Sequence, residues 1–283
     1  MLYNISMIRR VCLLFLFSTL TLFCPFIWEE LTGEFRLAKL PFALPHNTAW
    51  EVNAAADEAI LQGTFTFLAR GAQSFVFESE DKKWVLKLFR YDRWVHPWRK
   101  FIRNHWLKKQ GRLPFDQKID RLFCSTKLAF EKAADLTGLV YIHLNKKENL
   151  PTILLKDRLG RVRPFNLSSA YFAIQRRASP LPEVFLEAIE NNDEKKFKAL
   201  TRSFVHLLQA RVSKGIRNTD TKVHVNFGFW NETAIEWDFG NYCLDPEMKS
   251  EEEIHRFLLK PERYMMGKWV ETFREEVSQC DLF

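Results

Sequence analysis

A chain of 283 residues, 47% hydrophobic and 27% charged, holds enough apolar material to bury a sizeable core and suits one two-lobed domain with an appendage. Its five cysteines form no CxxC pair, which indicates neither a zinc site nor a disulfide framework, and without HExxH or GxSxG motifs the metalloprotease and hydrolase readings have no starting point. The formal charge of +7 comes without a zinc-finger, RNA-recognition or helix-turn-helix signature, so nucleic acid is not an expected partner.

At the N-terminus, Arg9 and Arg10 precede an uncharged apolar run over residues 11–28. At 1.5 Å rise per residue this run is just long enough to cross a bilayer, and no clean small-x-small cleavage site follows it. Residues 1–30 are therefore expected to be a signal anchor or uncleaved signal, with a cleaved signal or a buried core helix as alternatives. Arg9 and Arg10 favour a cytoplasmic N-terminus, which would place the rest of the chain across the membrane or mark it for export. Residues 31–63 are expected to form a linker and a helix at 50–62.

Phe75-Val76-Phe77 and the run from Trp84 to Phe89 read as strands joined by the charged turn Glu80–Lys83. Gly71 lies where the chain can turn sharply or approach a ligand. Alternation sets Lys87 on the face of Val85 and Phe89, where a lysine belongs at a sheet edge or opposite a negative charge. From Lys87 to Arg112 the chain is rich in Arg and Lys, with Trp94, Trp98 and Trp106 interspersed. This insertion (residues 90–117) suits an anionic lipid or protein partner, or else packs its tryptophans internally.

A helix is expected at 118–136, a strand at 138–144, and helices at 182–190 and 193–214. The last carries Phe197, Leu200, Phe204, Leu207 and Leu208 at helical spacing. The segment Asn226–Gly240 reads as a hairpin turning at Asn231-Glu232. Counting outward, Trp230 faces Thr233 and Phe229 faces Ala234, which brings Asn226 opposite Trp237 and beside Asp238. Paired hard oxygen ligands suit Mg²⁺ when phosphates supply the remainder. One or two helices with inward Ile254, Phe257, Leu258, Trp269 and Phe273 close the chain.

In this order the pieces resemble the protein-kinase-like fold, and in particular kinase-like proteins of obligate intracellular bacteria. The resemblance covers about residues 64–245. It implies an α+β, two-lobed fold with a shortened C-terminal lobe, an N-lobe over 64–178 and a C-lobe over 179–283, preceded by the N-terminal apolar helix. It implies ATP and Mg²⁺ as cofactors. Gly71, Gln73 and Ser74 resemble a reduced phosphate-covering loop, Lys87 the phosphate lysine, and Glu131 its ion-pair partner. Residues 172–178 stand where the hinge would be. Asn226 and Asp238-Phe239-Gly240 resemble the metal-binding asparagine and DFG motif.

The departures are specific. No HRD precedes Asn226, and Asp220 is one position too early for the catalytic carboxylate unless the loop holds an extra residue. The phosphate loop keeps one glycine, and about forty residues follow the DFG, with no APE motif. An active form would resemble atypical and small-molecule kinases, transferring the γ-phosphoryl of ATP to a hydroxyl. The alternative is a membrane-associated pseudokinase acting as a binding module.

Overall fold

Apolar residues alternating with polar ones turn the chain after Gly63 into strands. The computed structural model describes residues 24, 27–37, 40, 44–54, 57–90, 115–146 and 148–280. In it β1 (Thr64–Arg70), β2 (Ser74–Ser79) and β3 (Trp84–Phe89) form an antiparallel meander. Strands β4 (Leu139–His143), β5 (Thr152–Lys156), β6 (Val162–Asn166) and β7 (Phe172–Arg176) complete a seven-stranded sheet in the order β4-β7-β3-β2-β1-β5-β6. The β5–β6 hairpin, which the sequence reading did not specify, joins through a parallel pairing of β5 with β1.

One face of this sheet is covered along its width and the other over β3, β4 and β7, while β5 and β6 leave alternate residues exposed. Phe75, Phe77, Leu86, Leu88, Phe172 and Ile174 form one core with Phe35 and Leu40 from the N-terminal segment. The other face, carrying Phe89 and Ala173, packs on helix α1 (Phe115–Thr137) through Phe123, Ala129 and Ala133. Lys87 shares that second face. Helix α1 ends at Gly138, whose φ of +70° suits glycine and whose N–H closes on Ala134 O at 2.8 Å.

The helical half starts at the bridge β8 (Ser179–Pro180) and runs into α2 (Leu181–Glu190) and α3 (Glu194–Ser213). Asp193 caps α3 by accepting from Lys196 N. Phe197, Leu200, Phe204, Leu207 and Leu208 are all buried, as their spacing predicts. Then follow β9 (Ile216–Asn218), the single turn α4 (Val223–Asn226), β10 (Phe227–Trp230), β11 (Thr233–Glu236), β12 (Tyr242–Leu244), α5 (Ser250–Leu258) and α6 (Lys268–Gln279). Phe257, Trp269 and Phe273 from the last two helices join the α3 core. The result is an α+β architecture with a mixed sheet.

Two expectations change, both within residues 31–63. In place of the helix expected over 50–62, the described residues form a short 3-10 turn at Thr48–Trp50, an extended Glu51 and a turn over 58–61. Trp50 is drawn off a helical path because its ring packs edge-on against Phe123 at 4.9 Å and its Nε1 donates to Asp120 at 2.9 Å. The apolar run at 11–28 lies almost wholly outside the described residues, among which no helix is long and apolar enough to cross a membrane. Most of the basic insertion at 90–117 likewise lies outside them.

The segment expected as a linker is part of the sheet's core. Phe35 meets Phe75 and Phe77 edge-on at 5.3 and 4.9 Å, and Glu34 pairs with Arg70 and with the buried Arg90. A chain starting at residue 44 should therefore be several kcal/mol less stable than one starting at residue 24, since each buried Phe or Leu contributes about 1.5–3 kcal/mol. Urea midpoints of the two truncations check this, with equal midpoints as the contrary result.

Candidate functional site

The hairpin forms in the register read from the sequence: Trp230 pairs with Thr233, Phe229 with Ala234 and Phe227 with Glu236. Asn231 and Glu232 both take positive φ, +47° and +63°, the pattern of a two-residue turn whose twist matches its strands. Gly228 carries no side chain because the Trp237 ring and Ser179 carbonyl fill the space a Cβ would need. At the open end, Asn226 O accepts Trp237 N at 2.9 Å and Asp238 N at 3.4 Å, so Asn226 and Asp238 are neighbours.

Lys87 reaches this end of the hairpin from β3. Its Nζ donates to Trp237 O at 2.5 Å and stands 4.9 Å from the Phe239 ring centre. Burial pushes the ammonium down from its ordinary 10.5 to about 8, with the Asp238 carboxylate opposing the fall. Gln175 of β7 adds a second, longer bond to Trp237 O at 3.3 Å. Lys87, far in sequence from the hairpin, thus meets its Asn226–Asp238 end where the sheet borders the helical half.

Asn226 is buried, and its Nδ2 donates to Asp220 O at 3.3 Å, which leaves Oδ1 as the atom able to meet a cation. Asp238 Oδ1 accepts Gly240 N at 3.3 Å. Among the described residues no group of three or more His, Cys, Asp or Glu could hold a metal by itself. An amide oxygen and one carboxylate suit Mg²⁺ only when phosphate oxygens complete the shell, and the donor set here fits that case.

Asp220 is placed by its backbone. Its N–H donates to Asn218 Oδ1 at 2.8 Å, and its carboxylate accepts Lys222 N at 3.2 Å with Lys222 Nζ at 3.8 Å. In the loop above, Gly71 N closes on Ser74 O at 2.8 Å. Buried Arg90 holds that loop from behind, its N–H donating to Gln73 O at 2.9 Å while its guanidinium stacks 4.4 Å over Phe75. The Gln73 side chain lies against Gly240. The loop and the Asp238–Gly240 segment are therefore in contact.

Glu131 does not meet Lys87. The buried stripe of α1 runs through Leu122, Ser125, Ala129 and Ala133, which turns Glu131 outward to Lys127, 3.9 Å away. It lines a cavity of about 600 Å³ with Trp50 and His143 on the far side of the helix. A prediction from helix periodicity alone could have assigned Glu131 to the exposed face, since Phe123, Ala129 and Ala133 define the opposite one.

A buried network under Asn218 was missed by sequence reasoning. Arg211 of α3 is fully buried and donates to both Glu236 oxygens at 3.1 and 3.0 Å and to Glu253 at 3.2 Å. Glu236 also accepts Asn218 Nδ2 at 2.5 Å and Tyr242 OH at 2.6 Å, while Glu253 accepts Asn218 N at 3.1 Å. Burial and the Glu236 charge hold the Tyr242 hydroxyl well above its ordinary value, so it remains a donor. Arg211 also lies 4.3 Å over Phe257.

No protein-family model and no curated protein sequence matches the chain. Among solved structures, two of WbdD align with it. One, described as a bifunctional kinase-methyltransferase, is 14% identical with a TM-score of 0.35, covering 73% of this chain and 43% of its own. The other is 13% identical with a TM-score of 0.37, covering 75% and 46%. The chain thus spans less than half the length of either structure. At these TM-scores the likeness adds no argument to the geometry.

Proposed function

We propose that the chain is a kinase-like protein that binds ATP with Mg²⁺ and transfers the γ-phosphoryl group to a hydroxyl acceptor. The observation that carries this reading is the meeting of Lys87 with Asn226 and Asp238, in the chain order that phosphoryl-transfer sites of this kind use. Lys87 would neutralise phosphate, and Asn226 Oδ1 with Asp238 would hold Mg²⁺, which supplies charge neutralisation when bound. Asp220 would orient the acceptor hydroxyl and take its proton, its carbonyl held by Asn226 Nδ2. Gln73 and Ser74 would cover the phosphates, on a turn that Gly71 closes through its own N–H to Ser74 O. Catalysis then rests on positioning more than on covalent chemistry.

One set of contacts favours the second reading, a nucleotide-free interaction module. Gln73 fills the space beside Gly240, Lys222 sits on Asp220, and Glu131 of α1 turns to Lys127 and not to Lys87. Magnesium-dependent ATP binding by calorimetry separates the two readings, and no binding at any Mg²⁺ concentration would end the first.

The pH dependence follows from Lys87. Phosphate beside the ammonium would raise its value above 8, so binding takes up a proton above that pH. Affinity is expected to be flat below pH 8 and to fall by up to about tenfold per unit above it. In the free protein the unfolded chain binds more protons between 8 and 10.5, so this group's contribution to stability rises with pH across that window. Lys87→Met should flatten both profiles, and an unchanged affinity profile in that variant would assign the effect elsewhere.

A further inference from the structure

A site built from two halves of a fold needs a connection between the helix packed on the sheet and the segment bearing the metal carboxylate. The acidic side chains described on α1 are engaged elsewhere: Asp120 with Trp50, Glu131 with Lys127 and Asp135 with Lys214. The inward face presents Ser125 instead, 2% exposed. Its Oγ donates to Phe239 O at 2.5 Å and accepts Tyr242 N at 2.7 Å.

These two bonds bracket Gly240 and Asn241 and fix the backbone immediately after Asp238. A hydroxyl can donate and accept at once, which a carboxylate cannot do, so one small side chain satisfies both buried backbone groups. The Phe239 ring is buried in the same cluster as Phe123, Ala129 and Ala133, so ring and hydroxyl tie one segment to one helix. Beyond Tyr242 the connection continues through its hydroxyl to Glu236, and from Glu236 to Asn218 below Asp220.

We infer that Ser125 is a positioning residue: it hooks α1 to the Asp238–Tyr242 segment, in place of a helix-to-lysine ion pair, and so sets the direction from which the Asp238 carboxylate meets Mg²⁺. The inference rests on the nucleotide-binding reading above. A serine that only satisfied buried backbone would change stability without changing metal use.

The test uses the full chain with Ser125→Cys, Ser125→Ala and Ser125→Thr, probed with ATP and MgCl₂. Losing the hook should speed amide exchange at Tyr242 and raise the half-saturating Mg²⁺ for ATP binding, each by about tenfold for the loss of a buried hydrogen bond. Metal-free ATP affinity should stay within about twofold of wild type, and Ser125→Thr, which keeps the hydroxyl, should restore the Mg²⁺ response. The near-isosteric Ser125→Cys keeps the packing if Ser125→Ala fails to fold. Unchanged Tyr242 exchange with ATP binding intact would overturn the hook and the role built on it, and equal losses of metal-free and metal-dependent affinity would overturn the metal-positioning role. Failure of the wild-type chain to bind ATP with Mg²⁺ overturns the proposed function and the metal-positioning role together, while Tyr242 exchange in that case still decides whether the hook exists.

Discussion

Glu236→Ala should lower the stability of the folded chain by about 3–5 kcal/mol, the usual cost of removing one partner from a buried ion pair. The side chains of Arg211 and Glu236 have no exposure at all, so the guanidinium left behind has no route to water. Glu253 would remain beside Arg211, 2% exposed, but it is already shared with Asn218 N and Arg256. Asn218 Nδ2 and Tyr242 OH would lose their acceptor in the same step. Glu236→Gln, which keeps an acceptor oxygen, should cost markedly less. Denaturant midpoints at constant slope provide the measurement. A loss below about 1 kcal/mol for Glu236→Ala would mean that the network does not brace the loop.

Asp238→Ala should abolish the magnesium dependence of ATP binding. It removes the only charged protein ligand in the proposed metal pair, and Asn226 can contribute a single neutral oxygen. Two effects then run against each other at Lys87. Without the Asp238 carboxylate the ammonium loses its main electrostatic support, which weakens its hold on phosphate; nucleotide phosphate supplies charge in exchange. Metal-free ATP affinity is therefore expected to move little while the metal-dependent increment disappears. Asp220→Ala, by contrast, should lower phosphoryl transfer by about 10²–10⁴-fold with nucleotide affinity nearly unchanged, the range typical for loss of a general base. The carboxylate can be lost without losing the loop, since Asp220 is held through its N–H and carbonyl. Turnover surviving Asp220→Ala would remove that residue from the mechanism.

Local rules carried the hairpin. A two-residue turn fixes register, and a period of two then places every side chain out to Asn226 and Asp238, so counting along the chain was enough. The same period placed Lys87 on the face toward α1, and the 3.6-residue period placed the buried residues of α3. Glu131 shows the limit of such reasoning. Its position after the lysine strand suited an ion pair, yet a residue's place in chain order says nothing of how the helix is rotated about its axis. That rotation is decided by Phe123, Ala129 and Ala133 against Phe89 and Ala173. The helix expected over 50–62 failed for a related reason, since contacts of Trp50 with residues some seventy positions away outweighed local propensity.

Period and turn chemistry, both properties of neighbouring residues, were sufficient for β2, β3, β4, the long helices and the Asn226–Asp238 pair. Whether Lys87 met Asp238, which side chain of α1 reached the segment after it, and what lay beneath Asn218 depended on how distant elements pack. Arg211, Glu236 and Glu253 look like ordinary charged positions in helices and a strand, because a charge reads as exposed until a partner from elsewhere makes its burial tolerable. Ser125 reads as a neutral helix residue for the same reason. Its two partners are backbone groups more than a hundred positions away, and only the assembled tertiary structure brings them within reach of its hydroxyl.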